Sequence, residues 1–333
     1  MREAPYFSDR ILACLQVPGH DHDCRIELAD DALRCVESGE LYPFIEGIPS
    51  LLRQDYAGHE VTRKVQAFYE ESPFPSYEGL EEYAELVNKG YRNPFTTRLL
   101  NSIGYNKLIL ECGCGTGQLS QFLQLNNNHA LGADITLASL SLAVEHKRRN
   151  ALQRSQFCQM DIFELALKDA SFDVVIAHGV FPTVYDPARA FSEVVRKVKP
   201  GGIVIVGVYN YFARVPTWVR AKLIGILGPR IDYVVRTQIR DPRKAEIWVR
   251  DQYYHPQETW QSIDEVMGWF EVNDVEFLSC SPPILGTSNG EADNLFASTG
   301  FGSKGQRILT QLGWLWTIAR EGALFDLIGR RKP

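Results

Sequence analysis

The sequence has no apolar run that approaches the roughly 18 residues needed by a membrane-spanning helix, so no integral membrane segment is expected. Its N-terminus has no basic stretch followed by an apolar core, and a secretory signal is not expected either. No two cysteines form a Cys-x-x-Cys pair. The seven cysteines are odd in number and scattered, which favours reduced thiols in the cytoplasm over a disulfide scaffold.

An excess of positive charge is also absent. The formal net charge is −6, which argues weakly against a large nucleic-acid-binding surface. Hydrophobic residues make up 45% of the 333 residues, so a full core is available for one large domain or two modest ones.

The most informative stretch is a glycine-rich turn near residue 115. An apolar run at 108–110 is followed by Glu111, by glycines at 113, 115 and 117, and by a helical pattern. Such a strand-to-helix turn lets a ligand approach the backbone, and exposed amides at the helix start favour polar or anionic groups. Two ligands are compatible, a dinucleotide or S-adenosylmethionine. The dinucleotide fingerprint needs a glycine where Gln118 stands, whereas Glu111 suits an ammonium group.

From 107 to 208, strand and helix patterns alternate with short connections, as in a parallel doubly wound sheet. Acidic residues end three successive predicted strands, at Glu111, Asp134 and Asp161, and His178 ends the fourth. Because the carboxyl ends of parallel strands meet at one edge of the sheet, these side chains are expected to line one ligand site.

Leu-Glu-Cys-Gly-Cys-Gly-Thr-Gly at 110–117, the acids at the strand ends, and Lys-Pro-Gly-Gly at 199–202 resemble class I S-adenosylmethionine-dependent methyltransferases of the type 11-like kind. The resemblance implies an α/β, Rossmann-like, doubly wound sheet of seven strands that ends in an antiparallel pair. It also implies a transferase (EC 2.1.1.-) with S-adenosylmethionine as cofactor. The resemblance rests on specific motifs in residues 105–208, and in residues 209–333 it rests only on the order of strands and helices.

The same resemblance assigns roles to the residues at the strand ends. Glu111 would face the methionine end of the cofactor, Asp134 the ribose hydroxyls, and Asp161 with Ile162 the adenine. The complete implied cofactor site consists of Glu111, Gly113, Cys114, Gly115, Gly117, Asp134, Ile135, Asp161, Ile162 and His178.

Residues 1–55 are predicted to form a small β-rich module. Leu33-Arg-Cys-Val and the stretch 41–52 resemble the zinc-ribbon domain of tRNA-methyltransferase activator proteins. A zinc knuckle needs a second cysteine three residues after the first. Val17 occupies that position after Cys14, and Ser38 occupies it after Cys35, so no metal is predicted. Three further candidate ligands match no standard spacing: His20, His22 and Cys24.

Residues 56–104 are predicted to be a helical lid and lead-in to the methyltransferase domain, 105–333. Two prolines make Ser-Pro-Phe-Pro-Ser-Tyr at 72–77 extended and stiff. This segment is either a lid over the cofactor or a plug at the edge of the core, and Tyr69 and Tyr77 are candidate pocket residues.

A net-positive insertion at 209–258 follows the fifth strand and is predicted to be helical and to cap the acceptor pocket, with Asn210 and Arg214 as contacts. Its helical pattern at 218–227 mixes charges on both faces, so peripheral membrane contact is not expected.

The predicted function is methyl transfer by in-line displacement to a small-molecule acceptor, whose identity and acceptor atom stay open. Ala-His-Gly-Val-Phe at 177–181 replaces the Asn/Asp-Pro-Pro-Tyr/Phe of base-methylating enzymes. RNA methylation stays an alternative because of the ribbon-like module, as does a non-catalytic scaffold that binds S-adenosylmethionine. A general base is optional, and the candidates are His178, Tyr209 and His255.

Overall fold

A computed structural model describes residues 7–19, 24–29, 31–287 and 294–333, so His20 and His22 lie outside the described residues. The strands are β1 Ile26–Leu28, β2 Ala32–Cys35, β3 Leu41–Ile45, β4 Ile48–Pro49, β5 Leu108–Cys112, β6 His129–Asp134, β7 Ser155–Gln159, β8 Phe172–His178, β9 Val198–Tyr209, β10 Val275–Ser281 and β11 Leu324–Arg331.

The α-helices and three short 3₁₀ helices connect these strands and cover them. The α-helices are α1 Asp9–Leu12, α2 Glu60–Glu71, α3 Tyr83–Arg92, α4 Pro94–Ile103, α5 Gln118–Leu123, α6 Leu137–Arg149, α7 Pro187–Arg196, α8 Tyr211–Leu227, α9 Tyr233–Thr237, α10 Pro242–Tyr253, α11 Ile263–Val272 and α12 Lys304–Gly313. The 3₁₀ helices are Phe181–Thr183, Pro229–Ile231 and Ile318–Glu321. None of the helices in the described part of the chain is long and apolar enough to cross a membrane.

Seven strands form the main sheet in the order β10-β11-β9-β8-β5-β6-β7. Strands β5 to β9 run parallel, and β11 pairs antiparallel with both β9 and β10. All five residues of β5 and of β7 are buried, because helices pack on both faces of the sheet. The predicted fold, including the terminal antiparallel pair and the helices α8 to α10 after the fifth strand of this sheet, is confirmed.

The small antiparallel sheet β1-β2-β3-β4 packs against the β7 edge of the main sheet. Beyond β4, the Leu51 amide donates to the Gln159 carbonyl at 2.9 Å. The Ser50 hydroxyl donates to the Gln159 side-chain oxygen at 2.7 Å. Apolar side chains of the module, such as Leu15 and Leu33, belong to the same buried cluster as the main sheet. The module therefore covers an edge strand that would otherwise be open to pairing.

The expectation of reduced cysteines is wrong for one pair, because Cys24 and Cys35 form a disulfide. The hairpin of β1 and β2 places their Cα atoms 6.2 Å apart, within the usual range for a disulfide. The two sulfurs and a Glu37 carboxylate oxygen lie within 4.8 Å of one another. Cys14, the other proposed knuckle residue, is buried after α1, where its thiol donates to the Arg10 carbonyl. The absence of a bound metal stays a prediction.

Candidate active site

A cavity of about 600 Å³ lies at the carboxyl edge of strands β5, β6, β7 and β8. It is roofed by α2, by residues 74–75 and by α10 of the insertion. Nine of the residues assigned to the cofactor line it: Glu111, Gly113, Cys114, Gly115, Asp134, Ile135, Asp161, Ile162 and His178. Gly117 does not line it, and a side chain there would stand 2.4 Å from Phe157 behind the turn.

The glycine turn is held by the chain itself. Its glycines have φ of +63°, +52° and +73° at Gly113, Gly115 and Gly117, which favours glycine at each. Every backbone amide from 113 to 117 donates within the protein, to Ala133, Asp134, Phe74 or Cys114. These five amides are therefore not free to bind an anionic ligand. The amides at the start of α5, at residues 118–120, lie beyond them, and their role in binding a ligand stays a prediction.

The proline-rich segment at 72–77 packs directly on this turn. The Phe74 carbonyl accepts the Thr116 amide at 3.3 Å, and the Pro75 carbonyl accepts the Thr116 hydroxyl at 2.8 Å. Phe74 and Pro75 line the cavity. Tyr77 does not line it: its hydroxyl donates to the Thr116 carbonyl at 2.8 Å and its ring stacks on His146. The prediction of Tyr77 as a pocket residue is corrected, because the ring supports the turn from behind.

Among the acids that line the cavity, Glu111 has a strongly shifted pKa. Burial raises its pKa to about 7, and the Ser120 hydroxyl, which donates to its carboxylate, only partly offsets that effect. Desolvation also raises the pKa of Asp134, which is half-buried. Its two oxygens accept the amides of Gly115 at 2.8 Å and Thr136 at 2.9 Å. Asp134 thus fixes the glycine turn as well as facing the cavity.

Asp161 connects the N-terminal part of the chain to the cavity. Its carboxylate accepts the hydroxyl of Tyr56 at 2.6 Å and the amide of Phe163 at 2.9 Å. Tyr56 lies just beyond the N-terminal module, so that region helps to orient a side chain of the site.

His178 forms a pair with Asp326 of β11 that sequence patterns did not predict. The imidazole Nδ1 donates to the Asp326 carboxylate at 2.7 Å, and the ring stacks on Phe95. Burial lowers the pKa of His178, but the Asp326 and Glu111 carboxylates together outweigh burial, so the pKa lies above its ordinary value of 6.5. A side chain at Gly207 would stand 2.8 Å from both partners, so glycine leaves room for the pair.

The cavity contains a second group of polar side chains. Tyr69 of α2 donates its hydroxyl to Asp251 of α10 at 2.8 Å, and Tyr209 and Gln252 lie beside them on the wall. Burial raises the pKa of Tyr69, Tyr209 and Asp251. Asp251 and Gln252 were missed because their helix carries no motif, whereas Asp326 had a signal as a lone acid within an apolar strand pattern.

Besides Gly117 and Tyr77, three further predicted site residues lie outside the cavity. His255 packs behind the wall on Phe68 and Tyr69, and burial lowers its pKa. Asn210 is fully buried, where it caps α8 and donates to Gln311 at 3.0 Å. Arg214 is 1% exposed. Its five donors are all used, by Glu258, by the Gln252 side chain and carbonyl, and by the Gly322 carbonyl. The predicted role of Asn210 and Arg214 in contacting the acceptor is corrected: both hold the insertion in place.

The chemistry of the lining fits S-adenosylmethionine better than a dinucleotide. Glu111 is buried and Asp134 is half-buried, and within the described residues no lysine or arginine forms an ion pair with either. Two such carboxyl groups suit a ligand with an ammonium group, a sulfonium and ribose hydroxyls. A pyrophosphate would instead require free amides, and those of the glycine turn are occupied.

Comparison with known proteins agrees with this geometry. Residues 110–206 match the family model described as a methyltransferase domain. A phosphatidylethanolamine N-methyltransferase of Cereibacter sphaeroides is 32% identical over 40% of this chain and 68% of its own length. A ubiquinone biosynthesis O-methyltransferase of Acinetobacter baumannii is 31% identical over 39% of this chain and 52% of its own length. An uncharacterized Synechococcus protein is 27% identical over 72% of this chain and 64% of its own.

The chain therefore spans 64% and 52% of the lengths of the Synechococcus and Acinetobacter relatives. Among solved structures, a chain of the complex between the Haloferax volcanii Trm112 methyltransferase activator and a methyltransferase is 14% identical. That match covers 84% of this chain and 100% of the other, with a TM-score of 0.48, a likeness too low for any conclusion. The sequence matches and the seven-stranded fold lead to one assignment: the chain belongs to the class I methyltransferases that use S-adenosylmethionine as cofactor.

Proposed function

We propose that this protein methylates a small-molecule acceptor inside the cavity at the carboxyl edge of the sheet. One observation carries the proposal: the acids at the glycine turn and the Tyr69–Asp251 pair line a single cavity, roofed by α2 and α10. An acceptor that reaches this interior must be small or must present a small reactive end. The names of relatives that methylate a lipid amine and a ubiquinone precursor are compatible with such an acceptor.

The residues of this chain would bind the reactants and orient them. Glu111 would hold the cofactor's ammonium group, Asp134 its ribose hydroxyls, and Asp161 with Ile162 its adenine. When bound, S-adenosylmethionine supplies an electrophilic methyl group on a sulfonium that is already an activated leaving group. The protein's main task is then to keep the acceptor in near-attack geometry, which Tyr69, Tyr209 and Asp251 would do.

His178 is the proposed proton acceptor for acceptors that must lose a proton. Asp326 holds Nδ1 at 2.7 Å, so Nε2 is the nitrogen left for a ligand. The neutral imidazole can accept a proton at Nε2, and the Asp326 carboxylate that raises the pKa of His178 would stabilise the imidazolium that forms. Tyr209 has a strongly raised pKa and would serve as a hydrogen-bond donor.

Labelled S-adenosylmethionine incubated with fractionated extract tests the proposal. Label should enter a low-molecular-mass or lipid fraction and survive nuclease digestion. The control is Asp134→Ala, which should bind S-adenosylhomocysteine about one to two orders of magnitude more weakly because a charge-assisted contact is lost. Nuclease-sensitive label would make the enzyme an RNA methyltransferase, and tight binding without any transfer would make it a scaffold; either result overturns the proposal.

A further inference from the structure

Helix α8 and its neighbour α12 share an exposed apolar surface. Eleven of the twenty large exposed hydrophobic side chains in the described part of the chain lie on these helices or in the turn after α12. They are Tyr211, Val215, Trp218, Val219, Leu223, Ile226, Leu227, Ile308, Leu309, Leu312 and Trp316, here named the α8–α12 face. Ile226 is 81% and Trp316 is 75% exposed. The two helices are neighbours, since the α8 cap Asn210 donates to Gln311 of α12, and a concentration of exposed apolar side chains of this kind marks an interaction surface.

The charges that the sequence places on α8 point away from this surface. Arg214 is 1% exposed and bonded to Glu258, and the Arg220 side chain is 19% exposed and donates to the Ala319 carbonyl. The outer side of α8 keeps one cation, Lys222, whose ammonium lies 3.6 Å over the Trp218 ring. The helix is thus apolar outward, contrary to the expectation of mixed charges on both faces.

A second cavity, of about 740 Å³, lies at the carboxyl end of α8, and its first arginine follows Leu227 of the α8–α12 face by three residues. Its apolar wall includes Ile224 and Val249, and three exposed arginines line it: Arg230, Arg236 and Arg240. Within the described residues, no carboxylate forms an ion pair with any of the three. Two acids also line the cavity: Glu246, and Asp241, whose carboxylate caps α10. An apolar wall with unpaired guanidinium groups suits an amphiphilic anion.

We propose that the α8–α12 face docks on an anionic phospholipid bilayer, with its apolar side chains in the interfacial layer and the three arginines against lipid phosphates. Exposed tryptophans, aliphatic side chains and flanking cations are the features of a helix that lies in a membrane interface. A second copy of the chain is a poorer occupant, because a two-fold contact brings identical arginine clusters to the same interface. The docking requires neither cofactor nor acceptor, so it stands apart from the proposed function.

Vesicle flotation of the full chain tests the proposal. The protein should float with phosphatidylcholine vesicles that contain about 30 mol% phosphatidylglycerol and stay in solution with phosphatidylcholine alone, because each arginine near an anionic surface adds attraction. Arg230→Ala, Arg236→Ala and Arg240→Ala combined should lower the partition coefficient by about a hundredfold. The matched control removes three exposed arginines that have carboxylate partners, Arg34, Arg53 and Arg149, and should change it little.

A second pair of variants tests the apolar part. Ile226→Glu should lower the partition coefficient by about tenfold or more, because the side chain leaves the interface. Val272→Glu changes an equally exposed residue, 82% exposed, on a different helix and should not affect binding. Three results overturn the proposal: equal binding to both vesicle types, displacement from vesicles by millimolar inorganic phosphate, or a dimer in solution that Ile226→Glu dissociates.

Discussion

At the scale of single residues, Glu111 is expected to make cofactor affinity depend on pH. Burial raises its pKa from 4.5 to about 7, so the carboxyl is about half protonated near neutrality in the free protein. An ammonium group pairs only with the ionised form. The dissociation constant of S-adenosylhomocysteine should therefore be about tenfold higher at pH 6 than at pH 8, as measured by calorimetry.

Glu111→Gln is the matched control for that prediction, since it keeps the shape and removes the titration. The affinity of this variant for S-adenosylhomocysteine should be lower than that of the wild type at pH 8 and nearly constant from pH 6 to 8.

The stability of the free protein depends on pH in the opposite direction. The raised pKa of Glu111 stabilises the fold below pH 4.5, and this contribution is lost as pH rises through about 7. A wild-type affinity that does not change with pH would show that Glu111 does not contact the ammonium group.

The pair of His178 and Asp326 gives a second residue-scale prediction. Burial is the largest influence on the pKa of His178 and lowers it, whereas Asp326 and, less strongly, Glu111 raise it. Without the Asp326 charge burial should prevail, so Asp326→Asn should bring this pKa below 6.5. NMR titration of the histidine ring protons measures it, with His178→Gln to assign the signal. Asp173→Asn, which breaks the Lys199 pair at the opposite end of β8, should leave the His178 pKa unchanged. An unchanged pKa in Asp326→Asn would exclude the pair.

At the scale of elements, Arg214 holds the insertion to the sheet. Its guanidinium joins α8 to Glu258 and Gln252 and to the Gly322 carbonyl before β11. Arg214→Ala leaves these partners unpaired and should lower the free energy of unfolding in urea by about 3 kcal/mol.

Two further variants check the origin of that loss. Arg149→Ala, at an exposed i,i+4 pair with Glu145, should cost less than about 0.5 kcal/mol. Arg214→Ala combined with Glu258→Ala should cost less than the sum of the two single changes, because each removes the same ion pair. Additive costs would mean that the pair contributes no coupling.

At the scale of the whole molecule, the N-terminal module is expected to unfold together with the main sheet. Leu15 is fully buried and bridges to Leu167, in the same core as the sheet. All six tryptophans lie at residue 218 or later, so their fluorescence reports only on the methyltransferase part. Leu15→Ala should nevertheless lower the free energy of unfolding, measured by tryptophan fluorescence in urea, by about 2–5 kcal/mol.

Leu41→Ala makes the same chemical change at a side chain that is 53% exposed, and it should lower the free energy of unfolding by less than about 0.5 kcal/mol. If Leu15→Ala left the tryptophan transition in place, the module would be an independent folding unit. The boundaries 1–55, 56–104 and 105–333, with the insertion at 209–258, stay predictions until such measurements are made.

The sequence by itself determined the sheet and its ligand edge. Short-range patterns suffice there, because apolar runs specify buried parallel strands, and acids at their ends must meet at one edge. Glu111, Asp134, Asp161 and His178 were all placed at the cavity for this reason. The disulfide of Cys24 and Cys35 was missed, because cysteine spacing does not determine which residues a hairpin brings together.

Tertiary structure alone decided the direction in which side chains of the insertion point. Arg214 was predicted in the pocket because it is a cation near the fifth strand, yet its partners are residues 38 to 108 positions away. The partner of His178 is equally distant in the sequence, since Asp326 lies 148 positions away. Helical periodicity gives the spacing of side chains on α8, but the face that becomes buried depends on Glu258, Gln252 and Gly322, and these contacts exist only after the chain has folded.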